Sequence, residues 1–105
     1  MTNLKKVLNE IKNNLADIYG KRLIRIVLYG SFARKEATEF SDLDVLVLLD
    51  NFSNVGEEIE RLSTLSSDLS LKHDITIALM PAREKDFVAK KTILLRNVYQ
   101  EGIAI

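Results

Sequence analysis

The sequence contains no cysteine and only one histidine, His73, among its 105 residues. Without cysteine there is no disulfide and no thiolate ligand for a metal, and a single histidine is too few for the usual zinc ligand sets. Any metal bound here is therefore expected to be a hard ion held by carboxylate and other oxygen ligands.

The sequence also lacks a charge surplus and a long apolar run. Fifteen Lys and Arg residues balance fifteen Asp and Glu residues, and the formal net charge is zero. Because binding along a nucleic acid polymer usually needs excess basic residues to neutralise phosphates, long nucleic acid is not expected as a partner. No stretch approaches the ~20 apolar residues of a membrane span, and the N-terminus has no signal-peptide core. We therefore expect a cytoplasmic protein with no membrane partner.

The length and the apolar pattern predict one α/β domain. A chain of 105 residues with 47% hydrophobic residues can form a single core. Helices are predicted over residues 2–19, 55–71 and 83–100, and strands over 23–30, 42–50 and 73–80. The 42–50 strand is apolar on both faces, so it is placed in the middle of a short mixed sheet flanked by helices. Three strands are predicted, and a fourth is left open.

Several boundaries and core positions follow from the same pattern. Thr2 or Asn3 is expected to cap the first helix, Gly20 to end it, and Pro81 to stop the third strand. The expected core contacts of the second helix are Ile59, Leu62, Leu65 and Leu69, and those of the last helix are Phe87, Leu94, Leu95 and Val98.

The first chemical feature is Gly30-Ser31, which follows the first predicted strand and precedes a predicted helical turn. Glycine allows the backbone to approach a phosphate closely, and the N–H groups at the start of a helix attract anions. Ser31 adds a hydroxyl donor, and Arg34 lies one turn further on. Taken alone, the same pattern also describes an ordinary tight turn.

The second feature is a set of aspartates at the starts of two predicted strands. Asp42 and Asp44 are two residues apart, so both carboxylates point to one face of a strand, a pairing that a bound cation would compensate. Solvated strand-end aspartates are the alternative explanation. Asp74 opens the next predicted strand as a third carboxylate, with the same alternative. The short connection after Ser31 predicts an antiparallel return that places residue 30 beside residue 42, so that turn and carboxylates face one cleft.

The run GSFARKEATEFSDLDVLV, residues 30–47, resembles the signature of the DNA-polymerase-beta-like nucleotidyltransferases, specifically their minimal branch. The resemblance extends over essentially the whole chain, including the ending LLRNVYQEGIAI. It implies a single minimal nucleotidyltransferase domain over residues 1–105. One departure is Lys35, because many relatives have glycine after the arginine, and the loop is therefore expected to differ in shape.

The resemblance also implies roles for individual residues. Gly30 and Ser31 would hold the triphosphate of ATP, with Arg34 and Ser41 as further nucleotide-binding candidates. Asp42, Asp44 and Asp74 would bind two Mg²⁺ ions and form the catalytic set. The reaction would transfer AMP from ATP to an acceptor hydroxyl and release pyrophosphate.

The same resemblance suggests a partner, since minimal members are similar to the antitoxin of toxin–antitoxin pairs. The expected acceptor is then a tyrosine of a HEPN-type toxin, and the expected assembly is a hetero-oligomer. Two alternatives stay open: a module that neutralises its partner by contact without catalysis, and transfer to a small molecule. A homodimer is also left open.

Overall fold

The computed structural model describes residues 3–105, which form four helices and four strands, with a single 3₁₀ turn at Gly20–Arg22. In chain order the elements are α1 (Leu4–Tyr19), β1 (Leu23–Tyr29), β2 (Leu43–Leu49), α2 (Val55–His73), β3 (Ile77–Arg83), α3 (Glu84–Val88), α4 (Ile93–Glu101) and β4 (Ile103–Ala104). Among these residues no helix is long and apolar enough to cross a membrane.

The strands form one mixed sheet in the order β3-β2-β1-β4. β1 pairs antiparallel with β2 and with β4, whereas β2 and β3 are parallel and are joined through α2. A parallel pair needs such a crossover, whereas the antiparallel β1–β2 pair needs only the loop between them. The α/β class, the mixed sheet and the central place of the second strand are confirmed.

The two faces of β2 contribute to two separate cores. Leu43, Val45, Val47 and Leu49 pack against α1 and α2, in the larger core. Leu46 and Leu48 point the other way, into a smaller core with Phe87 of α3 and with Leu95 and Val98 of α4. This alternation explains why the strand is apolar at nearly every position.

The ends of α1 agree with the sequence. Asn3 is its N-cap, and the Asn3 side chain accepts a hydrogen bond from the Lys6 N–H at 3.2 Å. Gly20 follows the last turn with φ of 55°, a conformation that glycine adopts without strain. Thr2, the other proposed cap, lies outside the described residues.

The prediction for the third strand is wrong at both ends. α2 continues to His73, and Asp74 caps it in the left-handed conformation, so β3 begins only at Ile77. Pro81 does not stop β3, which runs on to Arg83. In the described part of the chain β3 is an edge strand whose one partner is β2, so the missing N–H of proline costs no bond in the sheet.

The prediction of one helix over 83–100 is also wrong. Two helices, α3 and α4, are separated by a turn in which Lys90 has φ of 53°. Leu94 is 42% exposed, and on α2 Ile59 is 45% exposed while Glu58 is buried instead. The other predicted core residues of these helices are buried.

Candidate active site

The Gly30-Ser31 turn directly follows β1. Gly30 has φ of 73°, and its carbonyl accepts the Arg34 N–H at 3.1 Å, while the Ser31 carbonyl accepts the Glu36 N–H at 2.9 Å. Within residues 3–105, the N–H groups of Ser31, Phe32 and Ala33 have no acceptor. The turn therefore presents free donors of the kind that bind an anion.

Gly30 lies against the carboxylate of Asp44. Tyr29 and Asp44 are partners across the β1–β2 pair, and a Cβ added to Gly30 would lie only 2.5 Å from Asp44 Oδ2. Any other residue would have to displace the carboxylate, and the φ of 73° also favours glycine at this position. The prediction that turn and carboxylates meet is therefore consistent with the structure, with Asp44 rather than Asp42 as the direct neighbour.

The two aspartates at the start of β2 act on each other electrostatically. Asp44 is half-buried and Asp42 is exposed. Burial raises the pKa of Asp44, the negative charge of Asp42 raises it further, and Arg34 acts in the opposite direction. The pair is therefore a concentration of negative charge that the nearby protein cations do not fully offset.

The two remaining nucleotide-binding candidates have partners within the protein. Arg34 contacts Glu36 through Nε at 3.3 Å and Glu101 of α4 through Nη1 at 3.2 Å. The Ser41 hydroxyl accepts the Thr38 N–H at 2.8 Å, which closes the loop just before β2. Arg34 keeps further N–H groups for a ligand, whereas Ser41 has at least this structural role.

Asp74 is not placed with the other two aspartates. No three His, Cys, Asp or Glu side chains within residues 3–105 are grouped so that they could hold a metal ion. Asp74 instead lines an open groove of about 1010 Å³ together with Phe32, Thr38 and Leu43. The reason is local, because Asp74 ends α2 in a left-handed conformation and does not extend β3.

Two residues near the aspartate pair were not singled out as site residues. Tyr29 is the cross-strand partner of Asp44, and burial together with the Asp44 charge raises the pKa of its hydroxyl. Glu101 reaches Arg34 from the end of α4. Glu101 is 67 positions away in sequence, and no periodicity indicates that contact.

The geometry of a glycine turn against strand-end carboxylates agrees with the comparison to known families. Residues 8–100 match the model of the nucleotidyltransferase domain. The chain belongs to this family and is a nucleotidyltransferase, as the run over residues 30–47 predicted.

Named relatives define the branch. The protein adenylyltransferase MntA of Thermococcus cleftensis is 32% identical over 96 residues, which covers 91% of each chain. A protein of Methanocaldococcus jannaschii named "putative protein adenylyltransferase" is 33% identical over 88 residues, covering 84% of this chain and 81% of its own length. Such coverage confirms the minimal branch of the family.

Solved structures confirm the fold. A toxin–antitoxin crystal structure with AMP-PNP superposes with a TM-score of 0.65 at 24% identity, covering 91% of this chain and 69% of the other. A nucleotidyltransferase-type structure from Sulfolobus solfataricus gives the same TM-score at 17% identity, covering 94% and 76%. At these identities the likeness concerns the fold.

Proposed function

We propose that this protein is a Mg²⁺-dependent protein adenylyltransferase that moves AMP from ATP to a tyrosine hydroxyl of a HEPN-type toxin. It would act in the cytoplasm as one minimal domain over residues 1–105. The observation that carries the proposal is the contact of Gly30 with the Asp44 carboxylate, because it joins an anion-binding turn to a strand-end carboxylate. The names of the relatives support the acceptor class, and the toxin–antitoxin neighbours support the partner.

The donor set of the site fits Mg²⁺. Asp42 and Asp44 supply the carboxylate oxygens that this ion prefers. Burial and, after it, the negative charge of Asp42 raise the pKa of Asp44, and a bound cation would stabilise its ionised form. These two residues would hold the ions, which supply positive charge to the triphosphate and to the leaving pyrophosphate.

The other residues of the turn would bind and orient the nucleotide. The free N–H groups of Ser31, Phe32 and Ala33, together with the Ser31 hydroxyl, would donate hydrogen bonds to phosphate oxygens. Arg34 would donate further charge-assisted bonds. The acceptor oxygen would then bond to the α-phosphorus while the bond to the β-phosphate oxygen breaks, and pyrophosphate leaves.

Asp74 is proposed as the group that takes the proton of the acceptor hydroxyl. The family resemblance is what supports this role. Asp74 lines the groove that also contains Phe32 of the turn and Leu43, the residue between Asp42 and Asp44. Its contribution is tested by a variant of its own.

The test is incubation of the protein with α-labelled ATP, Mg²⁺ and a HEPN-type toxin. Label should appear on the toxin, and Asp42→Asn/Asp44→Asn should reduce it by about 100-fold or more, because charge stabilisation of the reacting phosphate is lost. Asp74→Asn should also reduce transfer, by about 100-fold or more, as expected for loss of a general base. Asp68→Asn, an exposed aspartate on α2, is the matched control and should transfer at the wild-type rate.

The same experiment separates the alternatives. If the toxin stays unlabelled but forms a stable complex in which it is inactive, neutralisation occurs by contact and the enzymatic proposal fails. If neither label nor complex is found, the acceptor is not this class of protein, and small-molecule hydroxyl compounds become the substrates to test.

A further inference from the structure

The guanidinium of Arg34 is held between two carboxylates. Glu36 contacts its Nε and Glu101 contacts its Nη1, and the Arg34 side chain is 42% exposed. Two of its N–H groups are thereby used, and a guanidinium has five. The charge of Arg34 also reaches the aspartate pair, because it acts to lower the pKa of Asp44. Arg34 therefore stands between the C-terminal helix and the candidate catalytic carboxylates.

Glu101 is the better anchored of the two carboxylates. Its side chain is 37% exposed, compared with 64% for Glu36. The next residue, Gly102, donates its N–H to the Val98 carbonyl at 2.7 Å, and a Cβ at Gly102 would collide with Val27 and with that carbonyl. α4 therefore ends in close contact with β1.

The residues after Gly102 fix this end of α4 to the sheet. β4 pairs with Val27 and Leu28 of β1, and the Ile105 N–H donates to the Ile26 carbonyl at 2.9 Å. β1 is the strand that leads into the Gly30-Ser31 turn. Glu101 and the catalytic turn are thus attached to the same strand, which fixes the position from which Glu101 reaches Arg34.

We propose that Glu101 is a positioning residue that orients Arg34 so that its free N–H groups meet the phosphates of the nucleotide. By holding Nη1, Glu101 would restrict a long side chain to one direction before the ligand arrives, which reduces the entropy lost on binding. The inference rests on the proposed function, since it assumes that the turn binds a nucleoside triphosphate.

The first test is equilibrium binding of AMP-PNP with Mg²⁺, measured by calorimetry on the full chain. Arg34→Ala should weaken binding on the order of tenfold, as for loss of a charged hydrogen bond. Glu101→Ala should weaken it by about two- to fivefold, the range of an exposed ion pair. In the Arg34→Ala background, Glu101→Ala should have no further effect, because its whole contribution passes through Arg34.

Controls distinguish positioning from a merely structural role. Glu101→Gln keeps a carbonyl oxygen that accepts from Arg34, and it should restore most of the affinity. Gln100→Ala, at the exposed neighbouring position, should bind as the wild type does. In transfer assays Glu101→Ala should raise KM for ATP by the same factor while kcat changes by less than about twofold, since uniform binding is what is lost.

The outcomes of these binding experiments separate the positioning role of Glu101 from the proposed function. An equal loss of affinity in both backgrounds, an unchanged affinity, or a tighter one would overturn the positioning role while leaving the proposed function intact. If the wild-type protein itself fails to bind AMP-PNP, the proposed function and this inference both fall.

Discussion

Lys35 has a backbone conformation that glycine adopts more easily. Many relatives have glycine at this position, and we therefore expected the loop to differ in shape. The structure gives Lys35 a φ of 60°, which is the left-handed region where glycine is unstrained. The loop therefore has a left-handed residue at this position and carries backbone strain there.

Replacing Lys35 with glycine should relieve this strain. We expect Lys35→Gly to raise the free energy of unfolding by about 0.5–1 kcal/mol, less than the full strain because glycine also makes the unfolded chain more flexible. Lys12→Gly, in the interior of α1, is the matched control and should lower it by about 1 kcal/mol. Urea unfolding of both variants measures the difference. Equal destabilisation by the two substitutions would show that Lys35 is not strained.

For single residues, the spacing of Asp42 and Asp44 predicted correctly that the two carboxylates act on each other at the start of β2. Asp42 and Asp44 were identified because alternate residues of a strand share a face, and that geometry is local. The short loop between two antiparallel strands predicted that the turn meets the carboxylates, although the direct neighbour of Gly30 is Asp44 and not residue 42. The contact of Arg34 with Glu101 could not be predicted, because Glu101 reaches Arg34 only through the folding of the whole C-terminal segment.

Among the elements, helix and strand types were predicted better than their ends. Apolar Ile75, Ile77 and Leu79 alternate with Asp74, Thr76 and Ala78 in the manner of a strand. Yet α2 continues to His73, and a left-handed Asp74 ends it. His73 contributes to this outcome, since its Nε2 lies 2.7 Å from Glu10 Oε2 of α1. The local alternation therefore does not decide where β3 begins, because Asp74 caps α2 and does not open the strand.

The start of α2 is fixed by a buried carboxylate. Glu58 is only 4% exposed and accepts hydrogen bonds from Tyr19, Arg22 and Arg61 at 2.9–3.0 Å. Burial acts to raise the pKa of Glu58, but the hydrogen bonds from Arg22 and Tyr19 outweigh it and lower the pKa. Burial and the same contact raise the pKa of Tyr19 to about 12. These bonds join α2 to α1 and to the start of β1.

Glu58→Gln should therefore destabilise the protein in a pH-dependent way. At pH 7 we expect a loss of about 1–3 kcal/mol, because charge-assisted bonds become neutral ones while the two arginines remain partly solvated. A carboxylate with a lowered pKa in the folded state stabilises above its unfolded pKa, near 4.5, and that contribution disappears as the pH falls through the folded value.

The measurement is urea unfolding of wild type and Glu58→Gln at pH 7, 5 and 3.5. The difference between them should be largest at pH 7 and should shrink at pH 3.5. Glu57→Gln, an exposed neighbour on the same turn, should show little difference at any pH. A Glu58→Gln difference that does not vary with pH would contradict the ionic role of Glu58.

For the whole molecule, the sheet separates two cores of unequal size. Among residues 3–105, the larger core, between the sheet and the helices α1 and α2, contains fifteen buried residues. The smaller core, beneath α3 and α4, contains six. Asp44 lies on the same face of β2 as Leu46 and Leu48, the residues of the smaller core. The candidate catalytic carboxylate is therefore supported by the side of the molecule that buries less apolar surface.

This asymmetry predicts that α4 and β4 open without global unfolding. Because local stability follows the buried apolar contacts, amide protons of residues 93–104 should exchange with a lower opening free energy than those of β2. Leu95→Ala should lower protection in residues 93–104 by about 2–4 kcal/mol, up to complete loss, and leave α1 and α2 largely unchanged. Leu62→Ala, in the larger core, should instead lower protection throughout the described chain. Native-state hydrogen exchange read by mass spectrometry distinguishes these outcomes, and an equal loss across β2 and α4 in Leu95→Ala would mean that both cores unfold as one cooperative unit.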